Sequence, residues 1–540
     1  MPFTFPQGRK SRHLLTAAAV ALALGVTGCA AGGPATSTST ASAAGQTLIV
    51  NTSFVYKTLD PGRAYEQTGY LSVHALYSSL MTFEGNDVST PVPNLAESLD
   101  VSEDGLTYTV NLRDGATFAD ETPITSADVV YSFTRLQNLK GSSAAFFNGL
   151  VFTAVDDLTV TITAPIANPT IPVLLAMPAA SIVNSAVVSA NGGNDTVDAP
   201  TADTAQAYLD STSAGSGPYV LDRNDPGQEI VLVANENYWG EKPEYERVVI
   251  RNMDIQTQKL TLSRSTSPEI ALDITGDLLE GMPETLTVSD QLDTIYFAYA
   301  NTDPAVSEVT SNPDFLAAFK KSIDYDGLAD LYGNGGSVLG GFIADVYPGS
   351  IPSDEGPEQD IDAAKDLLAD SGLSDVTAEY IYPAITYRGV DLGTIATKIQ
   401  GDVAKAGITL ELTPLPLASF LEQYRGGQSE MGMTPQALIY PRAESIVQQL
   451  SPGSGTALRA GWTEEKASPE MVAAAKNIFT LITPEERVPA LVEWQELMLA
   501  EAPFVPLAQN SAAVVSTPKV TDAEYTSAGW ILTIADVKAN

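Results

Sequence analysis

The sequence predicts an α/β protein of at least two lobes. Its 540 residues are too many for one compact core, because single hydrophobic cores stop growing near about 250–300 residues. Hydrophobic residues make up 44% of the chain and aromatic residues 8%, which is enough to fill large cores. Strand patterns alternate with helix patterns along the chain without a repeat period. This alternation is typical of α/β proteins.

The N-terminus has the order of an export signal. Arg9, Lys10 and Arg12 precede an apolar run over residues 14–26. At about 1.5 Å per residue that run reaches only about 20 Å, so a membrane-spanning anchor is the weaker interpretation. The sequence VTGC at 26–29 resembles a bacterial lipobox, which implies cleavage before Cys29 and lipid attachment to it. We therefore predict a lipoprotein signal peptide over residues 1–28; the alternative is a plain signal peptide with an incidental cysteine.

Residues 29–46 are predicted to be the lipidated cysteine and a flexible tether. The segment after Cys29 is rich in Ala, Gly, Ser and Thr and carries no charge, so it cannot build a core. Its expected reach is about 20–25 Å. The predicted location is therefore the extracytoplasmic face of the cell membrane, held by a lipid anchor, on a Gram-positive surface or in a periplasm.

Short apolar or alternating runs predict the strands of the body. In chain order they cover residues 47–50, 107–112, 158–162, 219–221, 230–233, 245–253 and 408–412. The first is a continuous apolar run typical of a buried strand, and the second alternates between apolar and polar residues.

Apolar residues at helical spacing predict the helices. In chain order they cover residues 71–81, 126–138, 362–371, 395–405, 472–482 and 486–501. Ser126 followed by Asp128 is a helix start signal. Gly372 closes the third helix and Pro503 follows the last one.

Composition excludes several classes of function. The formal net charge of −38 repels phosphate backbones and anionic headgroups, so no nucleic-acid partner is expected. Cys29 is the only cysteine, so the sequence offers no internal disulfide and no thiolate metal site. His13 and His74 are the only histidines. We predict no catalytic residue, no metal and no cofactor; a secreted hydrolase, the rival class, would depend on His74 alone.

Two local motifs do not support a ligand site. GSGP at 215–218 lacks the ending of a phosphate loop and is predicted to be a tight turn. Asp324, Asp326 and Asp330 imitate the start of a calcium loop, but the loop's required glycine and final glutamate are replaced by Ala329 and Gly335.

A longer pattern carries a family resemblance. It consists of LAES at 95–98, SEDGLTY at 102–108, LRDGATF at 112–118 and TPITSADVVYSF at 122–133. This run is similar to the signature of family 5 extracellular solute-binding proteins, the peptide, nickel and opine receptors of ABC importers. Further agreement is found in LDP at 59–61, GSGPY at 215–219, NENYWG at 235–240, KP at 242–243, AKAGI at 404–408 and APFVPL at 502–507.

The resemblance implies a two-lobed, type II periplasmic-binding-protein-like α/β fold that closes around a cleft. Residues 47–294 are expected to form the first lobe, with an extra subdomain over about 76–214. Residues 295–507 are expected to form the second lobe, and residues 508–540 to return to the first. Ligand contact with both lobes would favour closure. The implied partners are a small-molecule or peptide ligand and the membrane subunits of an ABC permease, and a monomer is expected.

The sequence departs from the family where ligand contacts are expected. Family members commonly carry a W-x-x-D-Y-P-D-P pattern in the second lobe, whereas this chain has MTPQALIYPRA at 433–443. Gln436 stands at the Trp position, and Arg442 with Ala443 replaces Asp-Pro. We hypothesise that Arg442 favours a ligand with a carboxylate or another anion, because a guanidinium binds such groups bidentately. The alternative is an ion pair with one of the many acids.

The predicted ligand-binding residues are therefore aromatic, thioether, amide and cationic side chains. They are Tyr56, Tyr65, Met433, Gln436, Ala437, Tyr440, Arg442 and Trp462. The favoured cargo is an oligopeptide, with a nickel chelate, siderophore, opine or oligosaccharide left open. A third interpretation is a chemosensory receptor on the same fold. Deletion of the protein would then abolish signalling without loss of uptake.

Overall fold

The computed structural model describes residues 46–333, 335–373, 375–436, 438 and 440–540. The predictions made for residues 1–45, which include the signal peptide, Cys29 and nearly all of the tether, lie outside the described residues. Within the described residues, no helix combines the length and the apolar character needed to cross a membrane.

The strands are numbered in chain order. They are β1 (Thr47–Thr52), β2 (Met81–Glu84), β3 (Asp87–Pro93), β4 (Ala96–Val101), β5 (Thr107–Leu112), β6 (Val151–Ala154), β7 (Thr159–Thr163), β8 (Tyr219–Asp225), β9 (Glu229–Ala234), β10 (Arg247–Asn252), β11 (Glu269–Ala271), β12 (Thr287–Ala300), β13 (Gly336–Ser337), β14 (Val376–Pro383), β15 (Thr386–Tyr387), β16 (Val390–Asp391), β17 (Ile408–Leu415), β18 (Met431–Gln436), β19 (Phe504–Ser516), β20 (Val520–Thr521) and β21 (Lys538–Ala539).

The α-helices are numbered in the same way. They are α1 (Gln67–Leu76), α2 (Ser126–Leu139), α3 (Ile171–Leu174), α4 (Ser185–Ala190), α5 (Ala199–Ala202), α6 (Gln206–Leu209), α7 (Ile255–Leu262), α8 (Pro313–Ser322), α9 (Tyr325–Ala329), α10 (Ile361–Asp370), α11 (Leu392–Val403), α12 (Leu417–Gly426), α13 (Glu444–Leu450), α14 (Gly455–Arg459), α15 (Pro469–Ile478) and α16 (Pro484–Glu501).

One mixed sheet runs through the body. Its strand order is β17-β14-β18-β12-β19-β11-β1-β10-β9-β8, and β13 pairs with β19 beside this path. The long strands β12 and β19 are antiparallel neighbours over most of their length, from Thr287 opposite Ser516 to Tyr299 opposite Phe504. Strand β19 also pairs with β11, so it joins the two halves of the sheet. A separate four-stranded sheet has the order β4-β5-β7-β6.

The buried side chains form two large apolar clusters. One lies entirely within residues 296–508 and packs around β14, β17 and β18. The other begins at Leu48, includes the four-stranded sheet and extends to residues near α13–α16. The strand and helix composition agrees with the predicted α/β class. The exact lobe boundaries at 294 and 507 stay a prediction, since β12 and β19 continue across both of them.

Most of the predicted elements are confirmed, with small shifts at their ends. Helix α2 begins at Ser126 as predicted, because Thr125 and Asp128 form a reciprocal capping box that satisfies the first backbone N–H groups. The helix predicted over residues 71–81 is wrong at both ends: α1 covers Gln67–Leu76 and Met81 already begins β2. The apolar run could not locate this end, because the chain changes from helix to strand without a Gly or Pro.

The GSGP segment lies against the backbone of another part of the chain, and only glycine leaves enough room for this contact. A Cβ atom at Gly215 or Gly217 would collide with the backbone at Leu76. The segment therefore holds the end of α1 against the start of β8. Asp324, from the rejected calcium loop, caps α9 and pairs with Lys398 at 2.8 Å.

Candidate functional site

A cavity of about 630 Å³ lies in the body and is here called the main cavity. Its described lining residues are Tyr65, Gln67, Tyr70, Phe146, Asp293, Tyr347, Tyr387, Arg388, Arg425, Gln436, Leu438, Gln448, Gln449, Gly455, Thr456, Arg459, Tyr525, Ser527, Gly529 and Ile531. This volume is within the range of about 300–1,000 Å³ that is typical of small-molecule sites.

The walls of the main cavity come from both predicted lobes. The start of α1 contributes Gln67 and Tyr70, and the segment at 525–531 contributes the facing part of the predicted first lobe. Helices α12, α13 and α14 and the end of β18 contribute the side from the predicted second lobe. A solute in this cavity would therefore contact both predicted lobes.

An ion pair joins the two predicted lobes at the edge of the main cavity. Arg388 donates from Nη1 to Asp293 Oδ1 at 2.6 Å, and the Tyr525 hydroxyl donates to the other oxygen of Asp293. The side chains of Arg388 and Asp293 are 18% and 9% exposed. Burial alone would lower the pKa of Arg388, but Asp293 and Tyr525 raise it well above its usual value, so the guanidinium stays charged.

Local backbone structure explains how these two side chains meet. Arg388 and Gly389 are the two central residues between β15 and β16, with φ of 47° and 81°. Positive φ at both positions is the signature of a type I′ hairpin turn, which projects Arg388 from its tip. Asp293 sits in β12 where the pairing with β19 shifts register between Leu292 and Thr294. Such a bulge redirects a side chain out of the regular ladder.

Two further arginines give the main cavity its charge. Arg425 lies in the last turn of α12 and Arg459 ends α14, and in the described part of the chain neither forms an ion pair with a carboxylate. The Arg459 guanidinium lies 4.9 Å from the centre of the Tyr424 ring. Among the described lining residues, three arginines thus face a single carboxylate, Asp293. The cavity is cationic in a strongly anionic protein, so it attracts anionic solutes.

A second, smaller cavity adjoins the main one and is here called the apolar chamber. Its volume is about 310 Å³. Its described lining residues are Ala145, Phe146, Asn148, Leu150, Ala164, Pro165, Ile166, Ala167, Asn168, Thr170, Leu174, Tyr440, Gln448 and Phe479. Phe146 and Gln448 line both cavities.

The structure brings some of the predicted ligand-binding residues to these cavities. Tyr65 and Gln436 line the main cavity, and Tyr440 lines the apolar chamber. Burial raises the pKa of Tyr65, while Arg425 across the cavity lowers it. Gln436 also donates from Nε2 to Gln449 Oε1. Their contact with a ligand stays a prediction.

Other predicted residues lie away from both cavities. Met433 and Trp462 are 1% and 2% exposed and pack inside the apolar clusters, because their strands and loops turn them toward the cores. The Tyr56 hydroxyl donates to Asn224 at 2.7 Å and does not line either cavity. Ala437 lies outside the described residues.

Arg442 has an internal partner. Its Nη2 lies 3.1 Å from Oε1 of Glu444, whose side chain is 2% exposed and also pairs with Arg487 at 3.0 Å. Arg442 lines neither cavity. Arg442 therefore forms an ion pair with an acidic residue, which was the alternative to a ligand contact. The cations available to a solute in the main cavity are Arg425 and Arg459.

The sequence analysis missed Asp293, Arg388, Arg425 and Arg459. A usable signal existed for one of them: Thr386 to Asp391 reads TYRGVD, and glycine after Arg388 marks a two-residue hairpin turn. Arg425 and Arg459 occupy the last turns of helices, where cations usually stabilise the helix dipole, so their position in the sequence indicates no ligand.

His74 is a packed side chain. Its ring stacks on Trp530 with centroids 4.1 Å apart and planes 11° apart. Burial lowers its pKa to about 4. A neutral imidazole held against an indole matches the packed role that the apolar helical pattern indicated.

His74 is expected to make folding stability depend on pH. The unfolded chain takes up this proton near pH 6.5, whereas the native state resists it until about pH 4. Stability is therefore fully present above pH 6.5 and is lost as the pH falls toward 4, by up to about 3 kcal/mol from this group. His74→Phe keeps the stacking on Trp530 but cannot take up a proton. We expect its free energy of unfolding in urea to fall less between pH 7 and pH 4.5 than that of the wild type. Equal losses would contradict this assignment.

Among the described residues, no group of three or more His, Cys, Asp or Glu side chains is arranged so that it could hold a metal ion.

Comparisons with known proteins identify the class of this chain. The model of bacterial extracellular solute-binding proteins, family 5, matches residues 90–457. The chain is 32% identical to the probable D,D-dipeptide-binding periplasmic protein DdpA of Escherichia coli K12, over 54% of this chain and 56% of that protein. It is 26% identical to heme-binding protein A of Haemophilus influenzae, over 87% of this chain and 89% of that protein.

Solved structures agree on the fold. DppA of Helicobacter pylori in complex with the peptide STSA superposes with a TM-score of 0.74 and 20% identity, over 92% of this chain and 98% of that chain. The predicted two-lobed α/β fold is confirmed. The relatives are solute-binding proteins and not enzymes. Two predictions are therefore also confirmed: the protein is a solute-binding protein of the ABC-importer class, and it is not an enzyme. This chain belongs to the bacterial extracellular solute-binding proteins of family 5.

Proposed function

We propose that this protein is the lipid-anchored receptor of an ABC importer and captures a small peptide in the main cavity. The observation that carries the proposal is the cavity itself: it has walls from both predicted lobes, aromatic surfaces and side chains of both charges. Peptides combine a zwitterionic backbone with variable side chains. Tyr65, Tyr387 and the glutamines Gln448 and Gln449 supply adaptable surfaces and amide groups for such a ligand.

Closure is the event that a permease would recognise. Arg388 from the predicted second lobe bonds Asp293 and lies 3.5 Å from Tyr525 of the predicted first lobe, and we assign this contact to a closed arrangement of the lobes. A ligand that touches both lobes stabilises that arrangement and shifts the population toward it. Cys29, as the predicted lipid-bearing residue, would hold the receptor on the membrane beside the permease.

Two of the relatives point toward peptides by their names or their ligands. One is described as a probable D,D-dipeptide-binding protein, and one structure holds the peptide STSA. The relative named for heme binding keeps a different cargo open. The excess of arginines in this cavity favours a solute whose net charge is negative.

Native mass spectrometry of residues 47–540, purified without refolding, tests the cargo. A set of bound masses that differ by amino-acid residues would support a peptide receptor. A single bound mass that contains no amino acids would contradict the peptide proposal and would name another cargo.

The cationic side of the cavity gives a more specific prediction. We expect Arg459→Gln to weaken binding of a tripeptide with a free C-terminal carboxylate about tenfold or more, because hydrogen bonds to charged groups are among the strongest. The C-terminally amidated peptide should bind wild type and variant equally. Isothermal titration calorimetry measures both peptides. Arg264→Gln, which removes an exposed arginine outside both cavities, is the matched control. Equal losses for the acid and the amide would contradict a carboxylate contact.

A further inference from the structure

The two adjoining cavities have opposite chemical character. The main cavity carries Arg388, Arg425, Arg459 and Asp293. None of the described residues around the apolar chamber is charged, and most are aliphatic or aromatic. The chamber has a volume of about 310 Å³, which is enough to hold an apolar group of a ligand. An apolar cavity of about 150 Å³ is enough to bind benzene.

The partition between the cavities is made of a few side chains. Phe146 packs edge-to-face on Tyr440 with ring centroids 6.0 Å apart. The Tyr440 hydroxyl donates to Gln448 Oε1 at 3.3 Å, and this bond does not use the amide N–H groups of Gln448. Since Phe146 and Gln448 line both cavities, a ligand in the main cavity lies next to the chamber.

Apolar surface at the chamber is exposed in this structure. Ile166 on its rim is 69% exposed. The chamber lies between the segment 145–174, in the predicted extra subdomain, and the segment 440–479 in the predicted second lobe. A concave apolar surface of this size, next to a cationic cavity, fits an apolar group on the same solute better than a flat protein partner.

We infer that the apolar chamber is a second subsite of the ligand site and that the cargo is amphipathic, with an anionic group beside Arg425 and Arg459 and an apolar group in the chamber. This inference rests on the proposed function, because it assigns the chamber to the same captured solute. For a peptide, the apolar group is a bulky aliphatic or aromatic side chain. Gln448 then lies beside the backbone that connects the two groups and donates to one of its carbonyl oxygens.

A fluorescent probe of the same chemistry tests this inference without knowledge of the cargo. 8-Anilinonaphthalene-1-sulfonate combines one anionic group with aromatic rings and fluoresces in apolar surroundings. We expect one molecule to bind per protein. Ala145→Trp, which fills the chamber from an exposed position, should weaken binding about tenfold, the scale expected for loss of one buried apolar group.

A matched pair of variants controls for folding and surface hydrophobicity. Ile166→Asn changes an exposed apolar residue of the chamber, and Val155→Asn changes one that is 60% exposed outside it. Of these two variants, Ile166→Asn should lower the probe affinity and Val155→Asn should leave it unchanged. Arg459→Gln should also weaken the probe. Circular dichroism and thermal unfolding identify any variant that is misfolded.

The outcomes separate this inference from the peptide proposal. If wild type does not bind the probe, or if both chamber variants bind it like wild type, the chamber is not a subsite. If the wild type binds the probe and the chamber variants weaken it, the tripeptides Ala-Ala-Xaa, Ala-Xaa-Ala and Xaa-Ala-Ala, with Xaa as Ser, Leu or Phe, are tested as competitors. Displacement by Leu or Phe peptides but not by Ser peptides supports both conclusions. Probe loss in the chamber variants without displacement by any peptide overturns the peptide cargo and leaves the subsite in place.

Discussion

Arg388→Gln is expected to lower the free energy of unfolding by about 3 kcal/mol and to favour an open arrangement of the lobes. The substitution leaves the nearly buried carboxylate of Asp293 without its cation, and only the Tyr525 hydroxyl and neighbouring backbone remain to satisfy it. It also removes a direct ion pair between a hairpin of the predicted second lobe and strand β12. Urea unfolding measures the stability, and small-angle scattering measures the opening.

A double-mutant cycle isolates the ion pair. Asp293→Asn combined with Arg388→Gln removes both charges, so the double variant should be more stable than the sum of the two single changes predicts, by about 1–3 kcal/mol. Arg388→Lys should recover charge but not the full stability, because an ammonium lacks the planar fork. Strict additivity of the two single variants would show that the pair does not couple the lobes.

Arg135→Met is expected to have the largest effect on stability, about 3–5 kcal/mol. Arg135 on α2 donates to Asp60 at 2.6 and 2.8 Å and to Asp203 at 2.8 and 3.0 Å, and its side chain is 2% exposed. Its loss leaves two buried carboxylates with Arg63 as the remaining cation. The cluster also holds the predicted extra subdomain against the segment that leads to Tyr65.

An exposed ion pair is the matched control for this prediction. Arg223 pairs with Glu229 at the edge of the sheet, and its side chain is 55% exposed. Arg223→Met should cost less than about 1 kcal/mol, because solvent already screens that pair. Limited proteolysis of the loop around residues 191–204 should speed up in Arg135→Met alone. If both variants lower the free energy of unfolding by similar amounts, the buried ion pairs of Arg135 do not stabilise the fold more than the exposed pair does.

The regular elements were predictable where the sequence itself contains the local cause. The capping box at Thr125 and Asp128 marks the start of α2, and the apolar run at Thr47–Val50 marks β1, in which Leu48 and Val50 are buried and Ile49 is half-buried. The end of α1 was not predictable, because tertiary contact with the glycine segment at 215–217 fixes where the helix stops. The sheet order was also beyond local patterns, since β1 pairs with strands about 200 residues away.

The candidate site was predictable only in part for a related reason. Gln436 and Tyr440 were selected because the family pattern covers their segment, and Tyr65 was selected as an aromatic side chain; all three line a cavity. The ionic side of the cavity depends on a register shift at Asp293 and a hairpin tip at Arg388, which are features of paired strands. Arg442 illustrates the converse: its place in the pattern indicated a ligand contact, but burial of Glu444 two residues later supplies an internal partner.

The position of β19 has a consequence for how the chain acquires its structure. Strand β19 is the neighbour of both β12 and β11, so without residues 504–516 the main sheet separates into β17-β14-β18-β12 and β11-β1-β10-β9-β8. Contacts between distant parts of a chain form slowly, because a long loop must close before they are gained. The two groups of strands therefore join into one sheet only when β19 has paired with both β12 and β11, and we expect this to be a late step of folding.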